Sequence, residues 1–202
     1  ARSSSWCRRR LRMDDVVSTG RKVVLRKKRS EDTEDDHRWR QDPELAELDA
    51  AAVLRQSLQD FARDYEQEIR YPTPWVKRYG IDAIDGPHIG NCMVYDIDTI
   101  KGQCELGILL GVREYWNDGY GREAMLFLIE ECFKMASINR LYLHTLAWNA
   151  RARRAFAGCG FRDVGPDRRG GHDFVLMELF RHEWEEKAPG LLGADRGSSK
   201  AD

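Results

Sequence analysis

Residues 105–124 read ELGILLGVREYWNDGYGREA, and this run decides the fold. Leu106, Ile108, Leu110 and Val112 alternate with other residues, which is the period of a half-buried strand. Trp116, Asn117, Asp118, Gly119, Tyr120 and Gly121 then form a polar turn with two glycines two apart. From Gly121 the apolar spacing becomes helical, with Met125, Leu128, Ile129, Cys132 and Ala136 on one face. Glycine lets the backbone approach a ligand closely and take a positive φ. The first N–H groups of a helix have no partner within it and lie at the positive end of its dipole. Strand, glycine turn and helix start in that order make an anion site, suited above all to phosphate.

Two kinds of site use this arrangement. Gly119, Gly121 and Ala124 fit the dinucleotide pattern G-x-G-x-x-A. That fold needs its strand to run almost directly into the first glycine, whereas Arg113 to Asp118 intervene here. It also wants an acid after the next strand, where Asn149 stands. The other site is the acetyl-CoA turn of the GNAT superfamily of N-acyltransferases. Trp116-Asn117-Asp118-Gly119-Tyr120-Gly121 resembles its pyrophosphate loop, Gln/Arg-x-x-Gly-x-Gly/Ala. The flanking words ELGI, YW, GYG and EA resemble the branch that contains ribosomal-protein-alanine N-acetyltransferases. Asn149, a short helix over Ala150–Gly158 and then Gly160-Phe161 resemble the family's second hallmark. Phe174–Leu179 followed by Arg181–Trp184 resembles its usual ending.

The resemblance covers roughly residues 21–184 as one domain. It implies an α/β (α+β) GNAT fold: a mixed, mostly antiparallel sheet flanked by helices, with a splayed central strand pair. It implies acetyl-CoA as cosubstrate and acetyl transfer to a primary amine. The acceptor is a protein N-terminus, a polyamine, an amino sugar or an antibiotic, and a homodimer is compatible with the family. The resemblance gives the pyrophosphate to the turn from Trp116 through Asn117, Asp118, Gly119, Tyr120 and Gly121 to Arg122. It gives the pantetheine arm and the thioester carbonyl to the backbone of Ile108, Leu109 and Leu110. Asn149 is expected to bond the arm where the strands part, and N-capping alone would also select it.

Two positions depart from the family pattern. Phe156 stands where members often carry a tyrosine that protonates the leaving thiolate, and it has no proton to give. This keeps open a second reading, an acyl-CoA-binding module with little turnover. Asn117-Asp118 stands where relatives often have Gly-Lys. An aspartate beside a pyrophosphate is repulsive, so Asp118 is expected to point outward with Arg122 compensating. Glu105 is the first candidate for general base, because a carboxylate in a partly dry groove gains basicity. The competing reading is a surface strand carboxylate. His144 on the next strand is second, set against a packing role. His88, Cys92 and Cys104 match no usual zinc spacing, so no metal is expected.

The chain has 202 residues, 33% of them charged, and a formal net charge of −1. That argues against a nucleic-acid or anionic-membrane footprint. No apolar run is long enough to span a membrane. Five cysteines without a C-x-x-C read as reduced thiols in a cytoplasmic compartment.

Residues 1–20, with Arg8-Arg9-Arg10, read as a disordered leader, and residues 185–202 as a disordered tail. Lys22–Lys28 is the first strand. Ser30 is expected to cap a short helix whose acids, Glu31, Asp32 and Glu34, form a solvated face. Asp42-Pro43 opens a long helix with Leu45, Leu48, Ala52, Leu58, Phe61 and Tyr65 as its stripe. Trp75 is read as a packing anchor. Tyr79–Ile84, His88–Ile97 and Gln103–Val112 form a meander, turned at Asp85-Gly86-Pro87 and at 99–102. After a helix over 121–137, Asn139 suits a left-handed exit. A strand over Leu141–Ala147 follows, and residues 163–171 are read as a loop.

Overall fold

The computed structural model describes residues 13–84 and 86–195. The expected leader over 1–12, the tail over 196–202 and Asp85 of the first hairpin turn lie outside the described residues. Eight strands form one sheet: β1 (Val16–Thr19), β2 (Val23–Lys27), β3 (Lys77–Ala83), β4 (His88–Asp98), β5 (Gln103–Leu110), β6 (Arg140–Leu146), β7 (Arg162–Arg169) and β8 (His172–Phe180). The spatial order is β1-β2-β3-β4-β5-β6-β8-β7. Every neighbouring pair is antiparallel except β5 and β6. The helices are α1 (Thr33–Gln41), α2 (Pro43–Leu48), α3 (Leu58–Arg70), α4 (Tyr120–Phe133), α5 (Ala150–Gly158) and α6 (Arg181–Asp195). This is the mixed α/β sheet that the sequence implies. Among the described residues no helix is long and apolar enough to cross a membrane.

Alternation sorts the strands into two faces. Val23 and Leu25, Tyr79 and Ile81, Cys92 and Val94, and Cys104 and Leu106 point into one core against α4. That helix is buried without a break through its middle, from Glu123 to Ile129. Its single apolar face read from sequence is thus too narrow, because the sheet, α5 and α6 all pack on it. The alternate residues Arg26, Asp82 and Asn91 face the other way, toward α1.

Several local expectations change. Val16–Thr19 is an edge strand on β2, not part of an unstructured leader. Residues 185–195, expected in the tail, continue α6, where Leu191 and Leu192 pack on the core. The long helix opened by Pro43 is two helices. It breaks after Leu48, and Ala50 takes φ 50° before Ser57 caps α3. Asp32 is buried, not solvated, while Glu31 and Glu34 are exposed as expected, and Ser30 begins a 3-10 turn without capping it. Trp75 is 57% exposed, so it is no packing anchor. The expected loop over 163–171 is mostly β7, turning only at Gly170 and Gly171. The left-handed asparagine is Asn117, with φ 62°, and not Asn139.

Candidate active site

The parallel pair decides the site. β5 and β6 are in register only at Gln103–Arg140, Cys104–Leu141 and Glu105–Tyr142. Beyond Glu105 the two strands part, β5 staying on β4 and β6 on β8. The fork opens a cleft of about 840 Å³. Ile108, Leu109 and Leu110 line one wall, and His144 and Asn149 the other.

The turn closes the far end of the cleft. Gly119 is the N-cap of α4 with φ 81°, a left-handed conformation that L side chains resist. A Cβ at Gly119 would meet nothing closer than Lys22 Cε at 3.8 Å, so the requirement here is conformational, not steric. Trp116, Asn117, Gly119, Gly121 and Arg122 line the cleft. Asp118 and Tyr120 do not. The Asp118 carboxylate is 69% exposed and pairs with Lys22 Nζ at 3.1 Å. Outward pointing is therefore as expected, and the compensating cation comes from Lys22, a residue the sequence did not single out. Trp116 donates its indole N–H to the Leu110 carbonyl at 2.9 Å, with Arg151 over its ring at 4.1 Å. Asn149 caps α5, its side chain accepting from the Ala152 N–H at 3.1 Å. Arg122 and Phe156 lie along the same cleft, Phe156 edge-on to Phe161.

At the crotch of the fork the two candidate bases form one pair. His144 Nδ1 lies 2.7 Å from Glu105 Oε1, and both residues are buried side chains that line the cleft. Glu105 is 4% exposed, so the reading of a surface carboxylate fails. Tyr95 stands opposite Glu105 on β4, and burial together with that carboxylate pushes its phenol far up. Asp167 Oδ2 stands 3.1 Å from His144 Nε2, off hydrogen-bond direction, and is itself held by Arg169 at 2.7 Å. The Arg169 guanidinium keeps the Asp167 carboxyl below its ordinary value. Sequence spacing does not show this grouping, because Glu105, His144 and Asp167 sit on three strands that only the fork and the β7–β8 hairpin bring together.

Across from β6 the cleft is walled by α2 and the segment after it, with Asp49, Ala50, Tyr95 and Asp96. The non-glycine residues with positive φ among those described are Ala50, Asp96 and Asn117, and all three line this cleft. Behind that wall is a buried ion network. Arg26 bonds Asp32 and Asp82 at 2.6–2.7 Å. Asp36 takes Lys28, the Tyr65 hydroxyl and Asn91, and His88 bridges Asp36 and Asp82. Trp39 rests on His88 and against Gly111, where a Cβ would fall 2.0 Å from its ring.

A family model for the acetyltransferase (GNAT) domain matches residues 22–162. The chain belongs to the GNAT acetyltransferase family, whose enzymes use acetyl-CoA as cosubstrate. Two solved structures give the scale of the likeness. One is the aminoglycoside acetyltransferase AAC(6')-Ib with coenzyme A, 21% identical with a TM-score of 0.70, covering 82% of this chain and 99% of that one. The other is spermidine N-acetyltransferase from Vibrio cholerae with coenzyme A and spermine. It is 18% identical with a TM-score of 0.71, covering 81% of this chain and 98% of that one. The AAC(6')-Ib enzyme has also been solved with coenzyme A and kanamycin, at 20% identity and a TM-score of 0.69, with 82% of this chain and 99% of that chain covered. At this identity the likeness carries the fold.

Proposed function

We propose that the protein transfers the acetyl group of acetyl-CoA to the primary amine of a small acceptor with more than one ammonium group. The observation that carries this reading is the Glu105–His144 pair at the point where β5 and β6 part. The pyrophosphate rests on the N–H groups of the turn, and the thioester lies along β5 so that its carbon reaches the crotch. Glu105, positioned by His144 and Tyr95, takes a proton from the acceptor's ammonium. The neutral nitrogen attacks the thioester carbonyl, the C–S bond breaks, and the nitrogen's second proton goes to the departing sulfur. The amine supplies the proton that Phe156 cannot. The balance is one ammonium and one thioester giving one amide, one thiol and one released proton.

Asp49 and Asp96, open at the acceptor end of the cleft, support the choice of a polycation. The kanamycin and spermine in the similar structures are polycations of this kind. Thiol release from acetyl-CoA over polyamines, aminoglycosides and peptides with free N-termini tests the reading. Release with the first two groups, falling about a hundredfold in Glu105→Gln, is expected. Acetyl-CoA binding without release across the panel would leave a binding module instead.

A further inference from the structure

We infer that Lys22 is a positioning residue of the pyrophosphate turn, a cation brought from between β1 and β2 to the side of the turn that carries Asp118. The inference rests on the turn being the pyrophosphate site. The turn carries Asp118, an anion where an anion is to bind. Lys22, between β1 and β2, spans the outside of the turn. Its Nζ donates to the Asp118 carbonyl at 2.6 Å, pairs with Asp118 Oδ2 at 3.1 Å, and stands 5.1 Å from the centre of the Tyr120 ring.

Two consequences follow from those contacts. The ammonium cancels the Asp118 charge beside the cleft. It also fixes a peptide plane: in a trans peptide the C=O and the following N–H point to opposite sides. With the Asp118 carbonyl drawn outward to Lys22, the Gly119 N–H is turned the other way, toward the cleft that Gly119 lines. Lys22 thus sets the direction of a donor that the phosphate needs.

The placement of Lys22 is itself built in. Glu123, one turn into α4 and 2% exposed, accepts the backbone N–H groups of Arg21, Lys22 and Val23 at 3.0, 2.9 and 2.7 Å. On the Lys22 side this clamp uses backbone N–H groups only, so Lys22→Met leaves it intact.

Calorimetry of the full chain with coenzyme A and with pantetheine, which lacks the pyrophosphate, tests the inference. Lys22→Met is expected to raise the Kd for coenzyme A about fivefold and leave that for pantetheine unchanged. Asp118→Asn is expected to tighten coenzyme A about threefold, and the double variant to fall between the two. A Lys22→Met variant that keeps wild-type affinity, or that weakens pantetheine equally, overturns the role of Lys22. A wild-type protein that binds coenzyme A no better than pantetheine overturns instead the assignment of the turn.

Discussion

The two walls of the cleft are built by different physics. The wall proposed for the cofactor is backbone: two strands that part, a turn with Gly119 at φ 81°, and the first amides of α4. The signals of its turn and helix start are local, since each depends on residues within about one turn of its own position; the parting of the strands is set by the sheet. The wall proposed for the acceptor is α2, backed by α1, which side chains far apart in sequence hold to the sheet. Arg26 reaches Asp82, 56 residues on, and Asn91 reaches Asp36, 55 residues back. Family resemblance is carried by the first kind of wall. On the function proposed above, acceptor choice would sit on the second, where charges can be exchanged without touching the turn.

Breaking one wall should therefore leave the other. The largest effect is expected from Asp82→Ala. It strips Arg26 and His88 of a buried partner, and removing one member of such a set costs about 3–5 kcal/mol. Urea unfolding measures this. Coenzyme A affinity of the molecules still folded is expected to stay within about twofold of wild type. A parallel collapse of affinity would show that the two walls are one unit.

A smaller effect sharpens the same contrast through pH. Burial would raise the Asp36 and Asp82 carboxyls, but hydrogen bonds and charge from His88, Lys28 and Arg26 outweigh it and hold both at about 2. A folded pKa below the unfolded one, near 3.8, adds stability that is complete above the unfolded value and lost as pH falls through about 2. Each carboxyl contributes about 2 kcal/mol on this account. His88 runs the other way. Burial lowers it, yet Asp36 and Asp82 leave it raised, so its share is present below about pH 6.5 and lost as pH climbs through the folded value. The urea midpoint is expected to peak between about pH 4 and pH 6.5, and Asn in place of both aspartates should flatten the acid side. An unchanged acid limb in that variant would remove the network as its cause.

The same division explains what could be read from the chain. The strand over 103–110, the turn, the helix start and the Asn149 cap came through because alternation, glycine spacing and capping are local rules. Asp32 was misread because an acid near a helix start is usually solvated, and nothing nearby announces Arg26 as its partner. Pro43 marked a helix start correctly, but the break at Asp49–Ser57 has no proline or glycine to signal it. Glu105 and His144 were legible as residue types but only as rivals. Their pairing depends on where two parallel strands stop pairing, a property of the sheet. Glu123 offered one usable signal, a lone acid opening the apolar run AMLFLI, which in a buried helix must find donors.

The finest break is at Gly119. Space is available for a side chain there, so Gly119→Val tests backbone direction alone. A β-branched residue resists φ 81°, at a cost of about 1–3 kcal/mol. The turn can escape that cost by rotating its peptides, and rotation moves the N–H groups off the phosphate. Because α4 is anchored by its buried middle and by Glu123, the helix itself has reason to stay. Coenzyme A affinity is expected to fall at least about tenfold while the urea midpoint shifts little, the converse of Asp82→Ala. Gly119→Ala, which is strained but unbranched, should fall between wild type and Val. Equal affinity in all three proteins would mean that the phosphate is held by the side chains around the turn, and that the cofactor wall obeys the same long-range logic as the acceptor wall.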